Sequence, residues 1–437
     1  MSISIGAISN AWYRFRAKRQ LITSISALIG SNLSSSLLSA LGGLLIARFI
    51  GPEVAGLYKA YTIPLTYLTF LHLGTFDGLW RQIPFYLGKD MPDKVNALAS
   101  SAGTWNLIVS LLVSSGFLLC ALYSLFHHDL YGVAGWLAQG CCCWAAFYGG
   151  YLGATYRTIN QFTSLARIQL IQALLNFSAV FITPFLAFYG LCLRASITPL
   201  VGVWLNHRYR PLRIPYSLDK IAFKEVVSIG LPFCLLGSLY TSVWVATESA
   251  LIFALGGVTD LGFFTVAAVI REGMTVLPQS IHQVLSPRVV EKYSRTGSIK
   301  EMNSSLIKIT VMVVIVMVTL ILLSSITLDY LVPFAIPKYV NGIPLMKICL
   351  WFSVVQAADL PLNSLFALGN WWLYGRGILV GLLVFALGTY LLLPVIGGLE
   401  SVAYGSLLGR SARTVVAYLE LFILLRSKKC AAPPAAG

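Results

Sequence analysis

Twelve apolar runs, most of them long enough to cross a lipid bilayer, follow one another with little chain between them, and this leaves few folds open. They are Leu21 to Ile50, Ala55 to Phe76, Ala97 to Phe126, Leu130 to Leu152, Ser164 to Phe188, Gly190 to Leu205, Val226 to Leu255, Leu261 to Leu285, Ile307 to Ile326, Val340 to Leu368, Gly375 to Ile396 and Ser401 to Leu425. The sixth is short and carries Arg194 and Pro199. Only 11% of the residues are charged, against about 25% in soluble domains. Inside a bilayer a backbone must satisfy its own hydrogen bonds, so runs of this length are expected to be helices. The expected fold class is an all-α polytopic membrane protein.

The positive charge sorts by side. With the N-terminus in the cytoplasm, that side collects Arg14, Arg16, Lys18, Arg19, Arg81, Lys89, Lys94 and Arg157, then Arg208, Arg210, Arg213, Lys220 and Lys224. Arg288, Lys292, Arg295, Lys300, Arg426, Lys428 and Lys429 follow on the same side, whereas the opposite side holds Lys338 alone. Such a bias places both termini in the cytoplasm and the chain in the cytoplasmic (inner) membrane. The net charge of +15 is therefore topological. Its expected partner is anionic membrane lipid, not nucleic acid.

The basic stretch ahead of the first run is like the start of a signal peptide. The run behind it is too long for a cleaved signal core, so it is expected to remain as the first helix. The eight cysteines have no metal-ligand spacing. Cys141, Cys142 and Cys143 point in successive directions around a helix and are expected to be small buried hydrophobes. No metal site and no disulfide framework is expected.

ARFIGPEVAGLYKAYTI, residues 47 to 63, has a downstream echo in GGVTDLGFF, residues 256 to 264. One constant, gap-free offset carries Gly51, Gly56 and Tyr58 onto Gly257, Gly262 and Phe264, and carries Lys89 and Lys94 onto Arg295 and Lys300. Weaker echoes join TYRTINQF to FALGNWWLYGR. Helices one to three thus correspond to seven to nine, which predicts two parallel six-helix bundles related by an axis along the membrane normal. The expected division is 1–206 as the N-terminal bundle, 207–225 as a basic cytoplasmic linker and 226–437 as the C-terminal bundle. Such halves enclose a central cavity. The connections are too short for a catalytic or nucleotide-binding domain, and GxxxxGK[ST] is absent. An enzyme and an ATP-driven pump are both disfavoured, and no catalytic residue is assigned.

GPEVAGLY, followed by RQIPFYLGKDMPDKVNAL, resembles the polysaccharide and O-antigen flippases of the multidrug/oligosaccharidyl-lipid/polysaccharide (MOP) exporter superfamily. The residues that carry the resemblance are Gly51, Pro52, Gly56 and Tyr58, then Arg81, Gly88, Lys89, Asp93 and Lys94. Glu248 stands where that family often has an acid in helix seven, and LSPRVVEKYSRTG fits its exit from helix eight. The resemblance implies a MOP/MATE-like pair of bundles with twelve transmembrane helices. Its implied activity is to flip a polyprenyl-pyrophosphate-linked oligosaccharide, a unit of O-antigen, capsule or related envelope glycan, by alternating access. Envelope glycan polymerase or assembly proteins are the implied protein partners.

Charges within the runs are the candidate site, because each costs on the order of 2.5–3.5 kcal/mol at the bilayer centre unless it faces a cavity or a partner. The cations are Arg48, Lys59, Arg194, Arg271, Lys347, Arg410 and Arg413, and the anions Glu248, Glu272, Asp359 and Glu420. The surplus of cations suits a diphosphate headgroup. Arg271, Arg410, Arg413, Lys59, Arg48 and Lys347 are the substrate-binding candidates. Arg48 and Arg194 also lie where they can snorkel to headgroups, and Arg410 and Arg413 can instead pair with Glu420 or an acid on helix ten. Glu248, Glu272 and Asp359 are candidates for H+ or Na+ coupling, the only cofactor-like requirement expected. His72 and His282 are expected at interfacial helix ends. Trp144, Tyr148 and Tyr151 offer aromatic faces for sugar or for packing.

Three other readings stay open: a multidrug exporter of the same superfamily, an integral membrane glycan polymerase or glycosyltransferase, and a scaffold of an envelope assembly complex. A net-positive cavity opposes cationic drugs. The absence of a large outer loop opposes the enzymes, and buried charge is costly in a passive scaffold.

Overall fold

The computed structural model describes residues 30–296, 299–359, 361 and 371–426, without the side chains of 280, 282–306, 371, 374 and 424–426. The N-terminal basic stretch, the side chains of His282, Arg288, Lys292, Arg295 and Lys300, and most of FALGNWWLYGR lie outside the described residues. Among the described residues there are helices and turns and no strand. They are α1 (Gly30–Phe49), α2 (Pro52–Leu68), α3 (Thr75–Gly88), α4 (Pro92–Phe126), α5 (Leu130–Trp144), α6 (Gly150–Thr158) and α7 (Phe162–Ser178). Then come α8 (Thr183–Arg208), α9 (Lys220–Ser238), α10 (Trp244–Thr296), α11 (Ile299–Ala335), α12 (Ile343–Ala358), α13 (Trp371–Ile396) and α14 (Gly398–Arg426).

The boundaries follow local chemistry. Proline opens α2 and α4, where its missing N–H leaves no bond unmade. Asp129 and Asp219 cap α5 and α9, accepting from the Gly132 and Ile221 N–H groups. Within α8 and α10 the helical backbone breaks at Ala187 (φ 46°) and Gly257 (φ 76°). Glycine takes that left-handed region without penalty, so Gly257 marks the break that its sequence partner Gly51 makes between α1 and α2.

Among the described residues, seven segments are long and apolar enough to be spans by themselves, fewer than the twelve expected. The difference has identifiable causes. Lys220–Gln279 has 60 residues, and a straight helix of that length would reach about 90 Å, three times the bilayer core. It contains the Gly257 break, as Phe162–Arg208 contains Ala187. The stretches 52–88, 130–158 and 398–426 fall short because turns, a π-helical segment or paired arginines interrupt them.

The molecule is apolar outside and buries polar residues within its largely apolar core. Leu112, Leu119, Phe126, Phe185, Phe334 and Val395 are strongly exposed, whereas Ser101, Asn106, Ser110, Gln139, Ser353, Ser406, Glu248 and Arg413 are buried. Water would not tolerate that surface, and lipid tails would. Asn106 shows how the interior polar groups are held: its amide donates to Thr75 Oγ1 and to the Ala102 carbonyl, both at 2.8 Å.

α2 meets the second part of α10 at a glycine crossing. A Cβ on Gly56 would run into the Val258 carbonyl, and one on Gly262 into the Pro52 carbonyl. Val258 and Gly262 stand at the same offset from Pro52 and Gly56, so the contact is reciprocal, as a two-fold relation between the helices requires. Gly74 and Gly230 make a second close crossing, between the start of α3 and α9.

α9 and α10 pack in different directions. α9 lies on α3 and α4: Tyr86 donates to Glu225 at 2.5 Å, Arg81 sits 3.5 Å over the Phe233 ring, and Trp105 lies against Phe223. At Trp244 the contacts are with α14 and α13, through Trp244 to Ser406 at 2.9 Å and Trp244 stacked on Phe385. Between them is a π-helical turn, Leu239–Val243, an irregularity that frequently occurs at functional sites.

Gly56→Val and Gly262→Val should each lower the melting temperature of the purified protein, at a cost of about 1–3 kcal/mol from overpacking. Because both relieve themselves by separating the same two helices, the double variant should lose less than the sum. Unchanged melting temperatures would refute the crossing.

Candidate functional site

One carboxylate and two guanidiniums meet where α10 doubles on itself against α14. Glu248, 1% exposed, lies before the Gly257 break and Arg271 after it. Arg410 Nη2 of α14 is 2.9 Å from Glu248 Oε1, and Arg271 Nη1 is 3.7 Å from Oε2. Ser406 also donates to Oε1 while accepting from Trp244 Nε1. The Arg410 guanidinium is surrounded by the rings of Tyr240, Trp244 and Phe352 at 5.0–5.5 Å. These cation–π contacts offset part of its lost hydration.

A second pair lies beside the first. Arg413 is bonded to Asp359 at the end of α12, and Thr414 donates to the same carboxylate at 2.8 Å. Tyr240 OH donates to it at 3.3 Å, and the Arg413 guanidinium lies 3.8 Å over the Tyr240 ring. Arg410 and Arg413 are therefore neutralised by Glu248 and by Asp359, an acid of helix ten, and do not form an open cationic rung. Burial without partners would be prohibitive for either guanidinium. Lys59 stands within electrostatic range of Glu272, Arg271 and Glu248. Glu272 is exposed and makes no ion pair among the described residues. Lys347 is bound to Asp329 of α11 at 2.8 Å, and Glu420 to Arg376 at 3.6 Å.

The open space is elsewhere. A cavity of about 560 Å³ lies among α3, α6, α7, α8 and α9, with His72, Asp77, Trp80, Arg157, Gln169, Gln172 and Asn206 in its wall. Both π-helical turns, Ala145–Gly149 and Leu239–Val243, border it through Ala145, Gly149, Thr241 and Ser242. A second cavity of about 600 Å³ is lined by Asn32, Ser35, Ser36 and Ser39 of α1, Gln169, Gln172 and Asn176 of α7, Arg194 and Thr198 of α8, and Gln279 of α10. Gln169 and Gln172 belong to both walls.

A third space, about 540 Å³, borders α1 and α10 as well. Ala40, Leu41, Leu44, Leu45 and Arg48 of α1 face Val269, Ile270, Gly273 and Met274 of α10, with Leu320, Leu323, Leu328 and Leu331 of α11. α1 and α10 thus both border two separate spaces, a polar one with α7 and α8 and an apolar one with α11, which share no lining residue. Arg48 is exposed at the apolar one.

Of the expected substrate-binding cations, only Arg48 lines one of these three spaces. Arg194, which sequence position assigns to headgroup snorkelling, instead lines the second cavity, with Nε donating to the Asn176 carbonyl at 3.1 Å. Arg157 lines the first cavity 5.5 Å from the Trp80 ring. Gln169, Gln172 and Asn176 carried a readable signal, three amides at helical spacing in an apolar run, that charge-based reasoning passes over. Tyr148 and Tyr151 are buried, and Tyr148 OH is 2.5 Å from both His207 Nδ1 and Tyr216 OH. They pack the 207–225 segment against α6 rather than face a cavity. Cys143, Cys192, Cys234 and Cys349 are buried and unpaired as disulfides, while Cys120 is exposed. No group of metal-ligating side chains occurs among the described residues.

Glu248→Gln should destabilise the protein by about 3–5 kcal/mol, because it leaves Arg271 and Arg410 buried without their counter-charge. Adding Arg410→Met should restore much of that loss. Thermal unfolding of the two variants decides it, and a double variant no more stable than Glu248→Gln would refute the pairing.

No protein-family model matches the chain, and no curated protein matches its sequence. Solved structures do match its backbone. The inward-facing conformation of a multidrug resistance MATE family transporter of the MOP superfamily aligns with TM-score 0.66 at 15% identity, over 92% of this chain and 96% of that one. The outward-facing conformation of a multidrug resistance MATE family transporter of the MOP superfamily gives 0.59 at 16%, over 92% and 94%. A MOP superfamily transporter from Pyrococcus furiosus, described as having a binding pocket of reverse polarity that suggests a different function, gives 0.58 at 14%, over 93% and 95%. The chain has the fold of the MOP superfamily transporters.

Proposed function

We propose that this protein is a flippase for a lipid-linked oligosaccharide carried on a polyprenyl pyrophosphate. The observation that carries the reading is the pair of spaces, one polar and one apolar, that α1 and α10 both border. The polar one, with Arg194 at its wall, suits a hydrophilic anionic head, and the apolar one suits a prenyl tail. Twelve traverses accommodate the helices: each of the two broken segments counts as two, and the stretches 52–88, 130–158 and 398–426 are added to the seven. Two six-helix bundles, 1–206 and 226–437, then sit in the inner membrane with both termini and the 207–225 segment cytoplasmic, the side on which its basic residues would lie.

Alternating access requires the halves to separate at one end while held at the other. The Gly56–Gly262 crossing is a natural closed end. Glu248 and Asp359 are each held by a guanidinium, which leaves exposed Glu272, in range of Lys59, as the carboxylate best placed to exchange a coupling ion. A second reading, export of organic cations, draws on Asp77 in the wall of the first cavity and on the multidrug transporters among the structural neighbours.

Translocation of a fluorescent disaccharide-diphosphoprenyl lipid in proteoliposomes, read by quencher accessibility, separates the two. The wild type should accelerate flipping, and Arg194→Gln should slow it by about tenfold or more, the scale of one charge-assisted hydrogen bond. Ethidium transport without lipid flipping would select the multidrug reading.

A further inference from the structure

The flippase reading says that an anionic glycolipid passes; which wall recognises the sugar is a separate question, and α7 answers it. Gln169, Gln172 and Asn176 recur at spacings of three and four, so they share one face of the helix. All three are half-buried, and that face looks into the polar cavities. An amide face on a membrane helix is costly unless something hydrogen-bonds to it.

The neighbouring helix α8 has unmet capacity. Asn206, 8% exposed, uses its amide N–H on the Gly202 carbonyl at 2.9 Å, while its Oδ1 has no partner among the described residues. Thr198 Oγ1, in the second cavity, is likewise unpaired. Space for the central amide is built in. A Cβ on Gly202 would collide with Gln172 Nε2, so the glycine holds a slot into which that amide fits.

We infer that the α7 amide face, with Asn206 and Thr198 of the neighbouring α8 at the first and second cavities, is a carbohydrate-reading surface that hydrogen-bonds the hydroxyl and acetamido groups of the diphosphate-proximal sugars. Each primary amide donates and accepts, as does each sugar hydroxyl, so the two match without net charge. Arg194, bonded to the Asn176 carbonyl, stands at the edge of this surface, where the sugar would join its phosphate. Sites built to hydrogen-bond a hydroxyl discriminate strongly against ligands that lack it. The charge clusters around Glu248 and Asp359 take no part in reading the glycan. This inference rests on the flippase reading and deepens it.

The test is binding to the purified full-length protein, measured by microscale thermophoresis with three probes: disaccharide-diphosphoprenyl lipid, the same diphosphoprenyl lipid without sugar, and tetraphenylphosphonium. The wild type should prefer the glycosylated lipid by about tenfold or more. Gln172→Leu should erase that preference while binding the bare lipid as the wild type does, which also reports that the variant is folded. Gly202→Ala, which displaces the Gln172 amide without altering its chemistry, should reduce the preference as well. A preference that survives both substitutions, or equal loss of both lipids, overturns this inference alone. Binding of tetraphenylphosphonium and of neither lipid overturns the flippase reading and this inference with it.

Discussion

The structure depends on the contact at Gly56 and Gly262, where two helix backbones touch without side chains between them. Lipid tails are as apolar as leucine, so helices gain nothing from hiding apolar surface, and close backbone packing must supply the attraction. Each glycine faces a carbonyl of the other helix, Val258 on one side and Pro52 on the other. This reciprocity fixes α2 and the second part of α10 at one depth and one angle.

Charge inside the bundle obeys a second constraint. A guanidinium in hydrocarbon needs a counter-charge, and the chain supplies one to each deep arginine: Glu248 for Arg271 and Arg410, Asp359 for Arg413. Glu248 alone is shared, leaving one excess positive charge beside the rings of Tyr240, Trp244 and Phe352. These pairs tie α10 and α12 to α14, so they hold that side of the molecule together before they do anything else. By contrast, the first two cavities carry amides and hydroxyls in their walls, with Arg157, Arg194 and Asp77 as their charged members.

Between these regions the seventh apolar run changes sides. Its first part, α9, packs on α3 and α4, and its second, at Trp244, packs on α13 and α14, with a π-helical turn between. That turn also borders the first cavity. A bend there would move cavity wall and packing interface together, since one short segment belongs to both.

The sequence by itself determined that this chain is a bundle of apolar helices, because hydropathy along a segment is a local property. It also paired Gly56 with Gly262 as equivalent positions of a repeat, but that these two glycines meet at a helix crossing was decided only in the tertiary structure. It showed that Glu248, Asp359, Arg410 and Arg413 needed partners, since the cost of burying charge depends on residue type and depth. Which acid meets which base was decided only in three dimensions, by the rotation of α10, α12 and α14 about their axes. The facing of α7 and α8 likewise turned the amides and Arg194 toward the cavities, while that of α14 sealed Arg413 away. Solvation cost can be read along a chain, but the facing of a helix is set by its neighbours, and a site is a matter of facing.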